Sequence, residues 1–329
     1  METEEGSELC FPQLLNSSCR KPKRPQTEAV LIFSLLSFIS VFTVTLNLLV
    51  IISISHFKQL HSSTNLLLLS LAVSDFFVGL NMIFTMFITD GCWLFGDIMC
   101  VLHLYLSYII TSASVGNMVL ISVDRYVAIC DPLHYSARVT VRRVTICICL
   151  CWVCSVFYNS LIMKDNLKQP GRYNSCSGEC VTVIHYIAGV VDLILTFLGP
   201  VTVIIVLYMR VFVVAVSQAR AMRSHVAAVT LQVSVKVTAK KSEMKAARTL
   251  GVVVVMFLIC LCPYFCSILA GQNSLLGLSS LSLEAWLFYI NSCLNPVIYA
   301  FCYPWFQKSI KLIVTLKILQ PDSCDANIL

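Results

Sequence analysis

The sequence predicts an all-α membrane protein: a seven-transmembrane helix bundle with its N-terminus outside and a short amphipathic helix after span seven. Three observations predict it. Hydrophobic residues make up 58% of the chain and charged residues 12%, where a soluble domain carries about 25% charge. Seven apolar spans follow one another at 29–55, 65–89, 98–123, 144–163, 181–209, 249–271 and 279–303. A hydrocarbon core about 30 Å thick takes ~20 helical residues to cross, and the much shorter alternating strands of a closed barrel do not read this way. Lys and Arg divide 7 to 16 between the two faces that these spans define.

That division orients the chain. The face with the excess, from Lys58 through Arg125, Arg142 and Lys245 to Lys317, is expected in the cytosol. The cluster Arg20, Lys21, Lys23 and Arg24 before span one argues locally for the reverse. Two signals oppose the cluster. Asn16-Ser17-Ser18 is a glycosylation acceptor that is usable only on the luminal side. Six cysteines fall in the non-cytoplasmic segments, namely Cys10, Cys19, Cys92, Cys100, Cys176 and Cys180. An even set in an oxidising compartment predicts disulfides and leaves their pairing open. No separate apolar run with a cleavage site stands before span one, so span one is expected to serve as the insertion signal.

The chain divides into an extracellular tail over 1–28, a membrane domain over 29–303, and an amphipathic helix with a cytoplasmic tail over 304–329. Span one carries Asn47, span two ends LAVSD at Asp75, and span three runs from Cys100 to Asp124-Arg125-Tyr126. Span four holds Trp152, span five Asp192 and Pro200, span six Pro263, and span seven Asn295-Pro296. The basic segment 210–248 lacks Pro and Gly and is expected to extend spans five and six as helices. After span seven, Trp305, Phe306, Ile310 and Ile313 alternate with Lys308, Lys311 and Lys317, a pattern suited to the inner leaflet. Membrane lipid is therefore the main solvent, and the net charge of +6 is no pointer to nucleic acid.

Taken together, Asn47, LAVSD, Cys100, Asp124-Arg125-Tyr126, Trp152, Pro200 with Tyr208, Pro263 and NPVIY at 295–299 resemble the rhodopsin-like G protein-coupled receptors. NSCLNPVIYAFCYPWF at 291–306 and the outer-loop cysteines look like the trace amine-associated receptors among them. The resemblance implies disulfides Cys100–Cys180, Cys10–Cys176 and Cys19–Cys92. It also implies a small-molecule amine as ligand, a heterotrimeric G protein of the stimulatory class as partner, cyclic AMP as the signal, an olfactory role and no enzymatic activity.

Two departures sharpen the expected site. Where many relatives carry the aspartate that meets the ligand ammonium, eighteen residues before Arg125, this chain has Ser107. Asp192 lies in an otherwise apolar span, two turns outside Pro200, and a carboxylate there is costly unless it has a partner. The sequence thus resembles the subgroup with the amine-binding acid in the fifth span. His103, Ser107, Tyr108 and Thr111 on span three, Tyr264 and Phe265 after Pro263, and Tyr289 on span seven complete the expected pocket. Glu284 is expected at the interface. The second departure is Leu261, where relatives have tryptophan.

An activation switch is expected from Asp124, Arg125 and Tyr126, with Glu243 as a latch to Arg125, and from Tyr208, Asn295, Pro296 and Tyr299. Asp75, Ser114, Asn291, Ser292 and Asn295 are oxygen-bearing and resemble the superfamily's sodium pocket; an allosteric sodium ion or a water-filled polar network suits them equally, and no other cofactor is expected. Span seven has no lysine for a retinal Schiff base. Asp75 and Asp192 lie at different depths, against an intramembrane aspartyl protease. Without an internal repeat, a channel or transporter is the remote alternative. The nearer alternative is a receptor of the same fold for a non-amine ligand, or one with weak signalling.

Overall fold

A computed structural model describes residues 8–21, 25–226, 249–263, 283–320 and 323–328. The long helices are α1 Gln26–His56, α2 Ser63–Asp90, α3 Gly96–Cys130 and α5 Val141–Ile162, with the short α4 Tyr135–Arg138 and α6 Lys164–Lys168 in the connections. Span five is α7 Tyr186–Leu193, a π-helical turn Ile194–Leu198, and α8 Gly199–Val226. There follow α9 Thr249–Pro263, α10 Leu283–Cys302 and α11 Pro304–Val314. Among the described residues, five helices are long and apolar enough to cross a membrane: α1, α2, α3, α5 and Tyr186–Ser217. The sixth and seventh expected spans correspond to α9 and α10, and the outer part of span six lies outside the described residues.

Local chemistry sets the helix ends. Ser62 caps α2 by accepting from Asn65 N at 3.3 Å, and Gly91 ends it at φ 88°, in the left-handed region that glycine enters without strain. Thr140 caps α5 by accepting from Arg143 N at 3.4 Å. Span five was expected as one continuous helix from residue 181. It starts at Tyr186 instead and widens to a π turn just before Pro200. Proline has no N–H to offer the preceding turn, so the backbone ladder must adjust there. Helix α8 does run past residue 210, to Val226, as expected.

Packing is tightest where side chains are smallest. A Cβ on Gly79 would lie 2.8 Å from Val44 Cγ2, and Ser40 Oγ donates to Gly79 O at 2.7 Å, so α1 and α2 meet nearly backbone to backbone. Gly116 leaves room for the Cys151 sulfur between α3 and α5. Trp152 Nε1 donates to Ser70 Oγ at 3.0 Å, and Ser70 Oγ to Asn117 Oδ1 at 2.9 Å, tying α5, α2 and α3 together. Asn47 Nδ2 donates to Ser292 O at 3.0 Å and joins α1 to α10. The main apolar core includes Val50, Leu71, Met118, Phe257, Leu261 and Tyr299.

Both ends of the chain fold back on the bundle. At the end of the bundle that carries the α1–α2 connection, α11 buries Trp305 and Phe306 while Lys308 and Lys311 stay exposed. The last described residues then reach the α1–α2 connection. Lys58 Nζ pairs with Asp325 Oδ2 at 3.1 Å, Ile328 N donates to Gln59 Oε1 at 3.3 Å, and Ile328 is fully buried. The Lys58–Asp325 hydrogen bond raises the lysine's pKa and lowers the aspartate's.

On the other side the tail forms a small clasp. Cys10 N donates to Cys19 O at 2.9 Å, and Leu9 and Arg20 bridge antiparallel. All six expected cysteines are bonded, but two pairs exchange partners relative to those the resemblance implies. The bonds are Cys100–Cys180, Cys10–Cys92 and Cys19–Cys176, with Cα separations of 5.5, 5.4 and 5.1 Å. Strand register decides this. Ser177 N donates to Ser17 O at 2.7 Å and Cys19 N to Ser177 O at 2.9 Å, which sets Cys19 beside Cys176. Trp93 N donates to Gly178 O at 2.8 Å and brings Cys92 to the other side of the clasp, within reach of Cys10.

Candidate functional site

Helix α3 places His103, Ser107 and Thr111 one turn apart on one face. Opposite them α2 presents Asn81, a residue the sequence reading did not single out although it is polar within VGLNMIF. His103 Nδ1 and Asn81 Oδ1 are 2.7 Å apart, Asn81 Nδ2 donates to Ser107 Oγ, and Ser107 Oγ donates to His103 O at 3.0 Å. This ring fixes the histidine tautomer. With its nitrogen on Ser107, Asn81 offers its oxygen to His103, so Nδ1 carries the proton. The imidazole stacks on Trp93 with ring centroids 5.7 Å apart and touches Phe84 at 5.8 Å.

A small cavity of about 70 Å³ opens beside the ring. Its polar lining is Asn81, Ser107, Thr111 and Tyr289, and its apolar lining Val78, Ile110 and Phe288. Thr111 Oγ1 donates to Ser107 O at 2.8 Å, and Tyr289 Oη donates to Thr85 Oγ1 at 3.2 Å. Three of the expected pocket residues therefore meet at the cavity and His103 braces it. Tyr108 is not among the residues that line it, and its backbone carbonyl accepts from Asn159 Nδ2 of α5 at 3.5 Å. Tyr264 and Phe265 lie outside the described residues, as does the side chain of Glu284.

Asp192 is not part of the cavity lining. It sits half-buried on α7 against α5, and Tyr158 Oη donates to its Oδ1 at 3.0 Å. Thr196 Oγ1 donates to the Asp192 carbonyl at 2.6 Å, in the π turn. The sequence offered no pointer to Tyr158 beyond its being a phenol in an apolar span.

Deeper in the bundle, Asp75 is fully buried and its Oδ2 accepts from Asn295 Nδ2 at 2.8 Å. Asp75 Oδ1, Asn291 Oδ1 and Asn295 Oδ1 are buried without a hydrogen-bond partner among the described residues. Three orphaned acceptor oxygens, with the hydroxyls of Ser114 and Ser292 also buried, fit the donor set of a hard cation or of ordered water.

At the inner end, Asp124 and Arg125 are both buried and pair with each other. Asp124 also accepts from Thr64 Oγ1 at 3.0 Å and from Tyr135 Oη at 2.8 Å, and Arg125 donates to Thr64 Oγ1 at 2.6 Å. Tyr126 packs on Ile129 and Val211. Glu243 lies outside the described residues. The hydroxyls of Tyr208 and Tyr299 are buried without a partner among the described residues, and so is that of Tyr303. Pro296 stands inside α10.

Residues 46–299 match the family model "7 transmembrane receptor (rhodopsin family)". The chain is also 37% identical to the trace amine-associated receptor 13c of Danio rerio over 98% of its own length and 97% of that protein. It is 38% identical to the trace amine-associated receptor 8a of Rattus norvegicus over 96% of this chain and 95% of that one. To the trace amine-associated receptor 1 of Homo sapiens it is 35% identical, over 94% and 95%. The chain belongs to the rhodopsin family of seven-transmembrane receptors and, within it, to the trace amine-associated receptors. It is a multi-pass protein of the plasma membrane, and its family are receptors rather than enzymes.

Proposed function

We propose that this protein detects small amines, with Asp192 as the counter-ion for the ligand ammonium. The observation that carries the reading is a carboxylate in an otherwise apolar helix, aimed by a single phenol, while the α3 position that would hold the acid is the neutral Ser107. An ion in that setting is costly unless a positive partner meets it, and only one of its two oxygens is bonded to Tyr158. The ammonium would then point toward span five.

The N-terminus faces outward, where Asn16 is open to glycosylation, and α11 lies on the inner leaflet. Agonist binding breaks the hold of Asp124 and Glu243 on Arg125, swings span six outward and admits a G protein of the stimulatory class, raising cyclic AMP. Asp75, Ser114, Asn291, Ser292 and Asn295 form a polar site suited to a sodium ion or to ordered water. An olfactory role rests on the resemblance to the trace amine-associated receptors alone. Leu261 is buried in the core, and its replacement of the tryptophan that the resemblance leads one to expect bears on signalling efficiency.

A second reading is favoured by the Tyr158–Asp192 bond itself: Asp192 ties spans four and five together in a receptor for a non-amine ligand. One experiment separates the two. Under the amine reading, Asp192→Asn at equal surface expression abolishes the cyclic AMP response to amines. An unchanged dose response defeats it in favour of the second.

A further inference from the structure

Resting on the amine reading above, we propose that the cavity between α2, α3 and α10 is the subsite for the far end of the ligand, and that it takes an uncharged hydroxyl. The preferred ligand is then an amino alcohol, with its ammonium at Asp192 and its hydroxyl beside Ser107.

Where each hydroxyl proton goes defines the guest. The Ser107 proton goes to the carbonyl of His103, and the Thr111 proton to the carbonyl of Ser107. A carbonyl has no proton to give, so neither direction can reverse. Tyr289 gives its proton to Thr85. In this arrangement Ser107 and Thr111 present lone pairs to a guest, which a hydroxyl donor satisfies.

Charge and size narrow the class. No carboxylate stands among the described residues that line the cavity. A second ammonium would lose its hydration there without a counter-charge, a cost that a hydroxyl avoids while offering the same kind of bond. At about 70 Å³ the cavity admits a small group such as a hydroxymethyl end. Asn81 acts as a positioning residue: held by His103, it donates to Ser107 Oγ and leaves that oxygen one further lone pair.

The test is a cyclic AMP dose response of the full-length receptor to three matched probes of varied chain length: an alkylamine such as pentylamine, the amino alcohol that ends the same chain in hydroxyl, and the diamine that ends it in a second amine. The amino alcohol should be more potent than the alkylamine by roughly three- to tenfold, the ratio that one hydrogen bond between neutral groups supports, and the diamine should be weakest. Thr111→Val or Ser107→Ala should bring amino alcohol and alkylamine together. Ser107→Asp should move the diamine to first place. Equal potency of amino alcohol and alkylamine on the wild type, or a diamine ranked first, overturns the inference while a silent Asp192→Asn keeps the amine reading. Silence of the wild type to every probe at verified surface expression overturns both.

Discussion

Tyr158 and Asp192 are joined by a hydrogen bond of 3.0 Å between adjacent spans, which ties the Asp192 carboxylate to a neighbouring helix. The phenol donates, so it stabilises the charged form and fixes which oxygen remains for a ligand. Tyr158→Phe keeps the ring and removes the bond. Amine potency should fall by about tenfold, within the range expected of a hydrogen bond to a charged group. Concentration–response curves at matched surface expression check this; unchanged potency would mean that Asp192 needs no orienting partner.

Asp124 gathers Arg125, Thr64 and Tyr135 around one buried carboxylate. Asp124→Ala removes the counter-charge of a buried guanidinium, which must then seek another partner. Basal cyclic AMP should rise at least twofold over the wild type. A basal level no higher than the parent's would show that the pair does not restrain the switch.

The cysteine pairing makes a test by elimination. Cys10→Ser and Cys92→Ser should lower thermal stability equally, and the double variant should be no worse than either. Cys19 and Cys176 should behave as the second such couple. Each lost bond removes about 2–5 kcal/mol by the behaviour of other disulfides. Non-reducing digestion of the purified protein reads the linked peptides directly; recovery of Cys10 bonded to Cys176 would overturn the assignment.

The inner clasp between Lys58 and Asp325 has a definite pH window. The Asp325 pKa is lowered by its bond to Lys58, so its contribution is complete above the ordinary carboxylate range and is lost as pH falls through the folded pKa. The Lys58 pKa is raised by the same bond, so that contribution persists below the ordinary lysine value and is lost as pH rises through the folded pKa. A fluorophore on the tail should therefore report attachment at neutral pH and release in acid. Asp325→Asn should weaken attachment at neutral pH and abolish the acid transition.

The membrane domain was legible because lipid enforces a simple rule: an apolar run of ~20 residues is a helix. Motif residues such as Asn47, Asp75 and Trp152 emerge as the polar ties between helices. The disulfide partners were not legible, since they depend on a two-residue contact between the tail and the loop at Ser177 that no periodicity records. Asn81 and Tyr158 were missed for a related reason. Each is an isolated polar group whose meaning comes from the residue opposite it on another helix. Asp192 was legible as an anomaly, whereas its neighbour became apparent only in three dimensions.

The three covalent ties at the N-terminal tail's end of the bundle also impose an order of events in biosynthesis. Cys19 is separated from Cys176 by 157 residues. At synthesis rates of about 5–20 residues per second, Cys19 waits roughly 8–30 s before its partner emerges. Four spans must be made before Cys19 can reach its own partner, although Cys10 can be bonded once Cys92 has emerged after span two. A chain that oxidised early would have only Cys10, Cys92 and Cys100 to choose from, so the delay itself is a hazard that the oxidative machinery of the secretory pathway must manage.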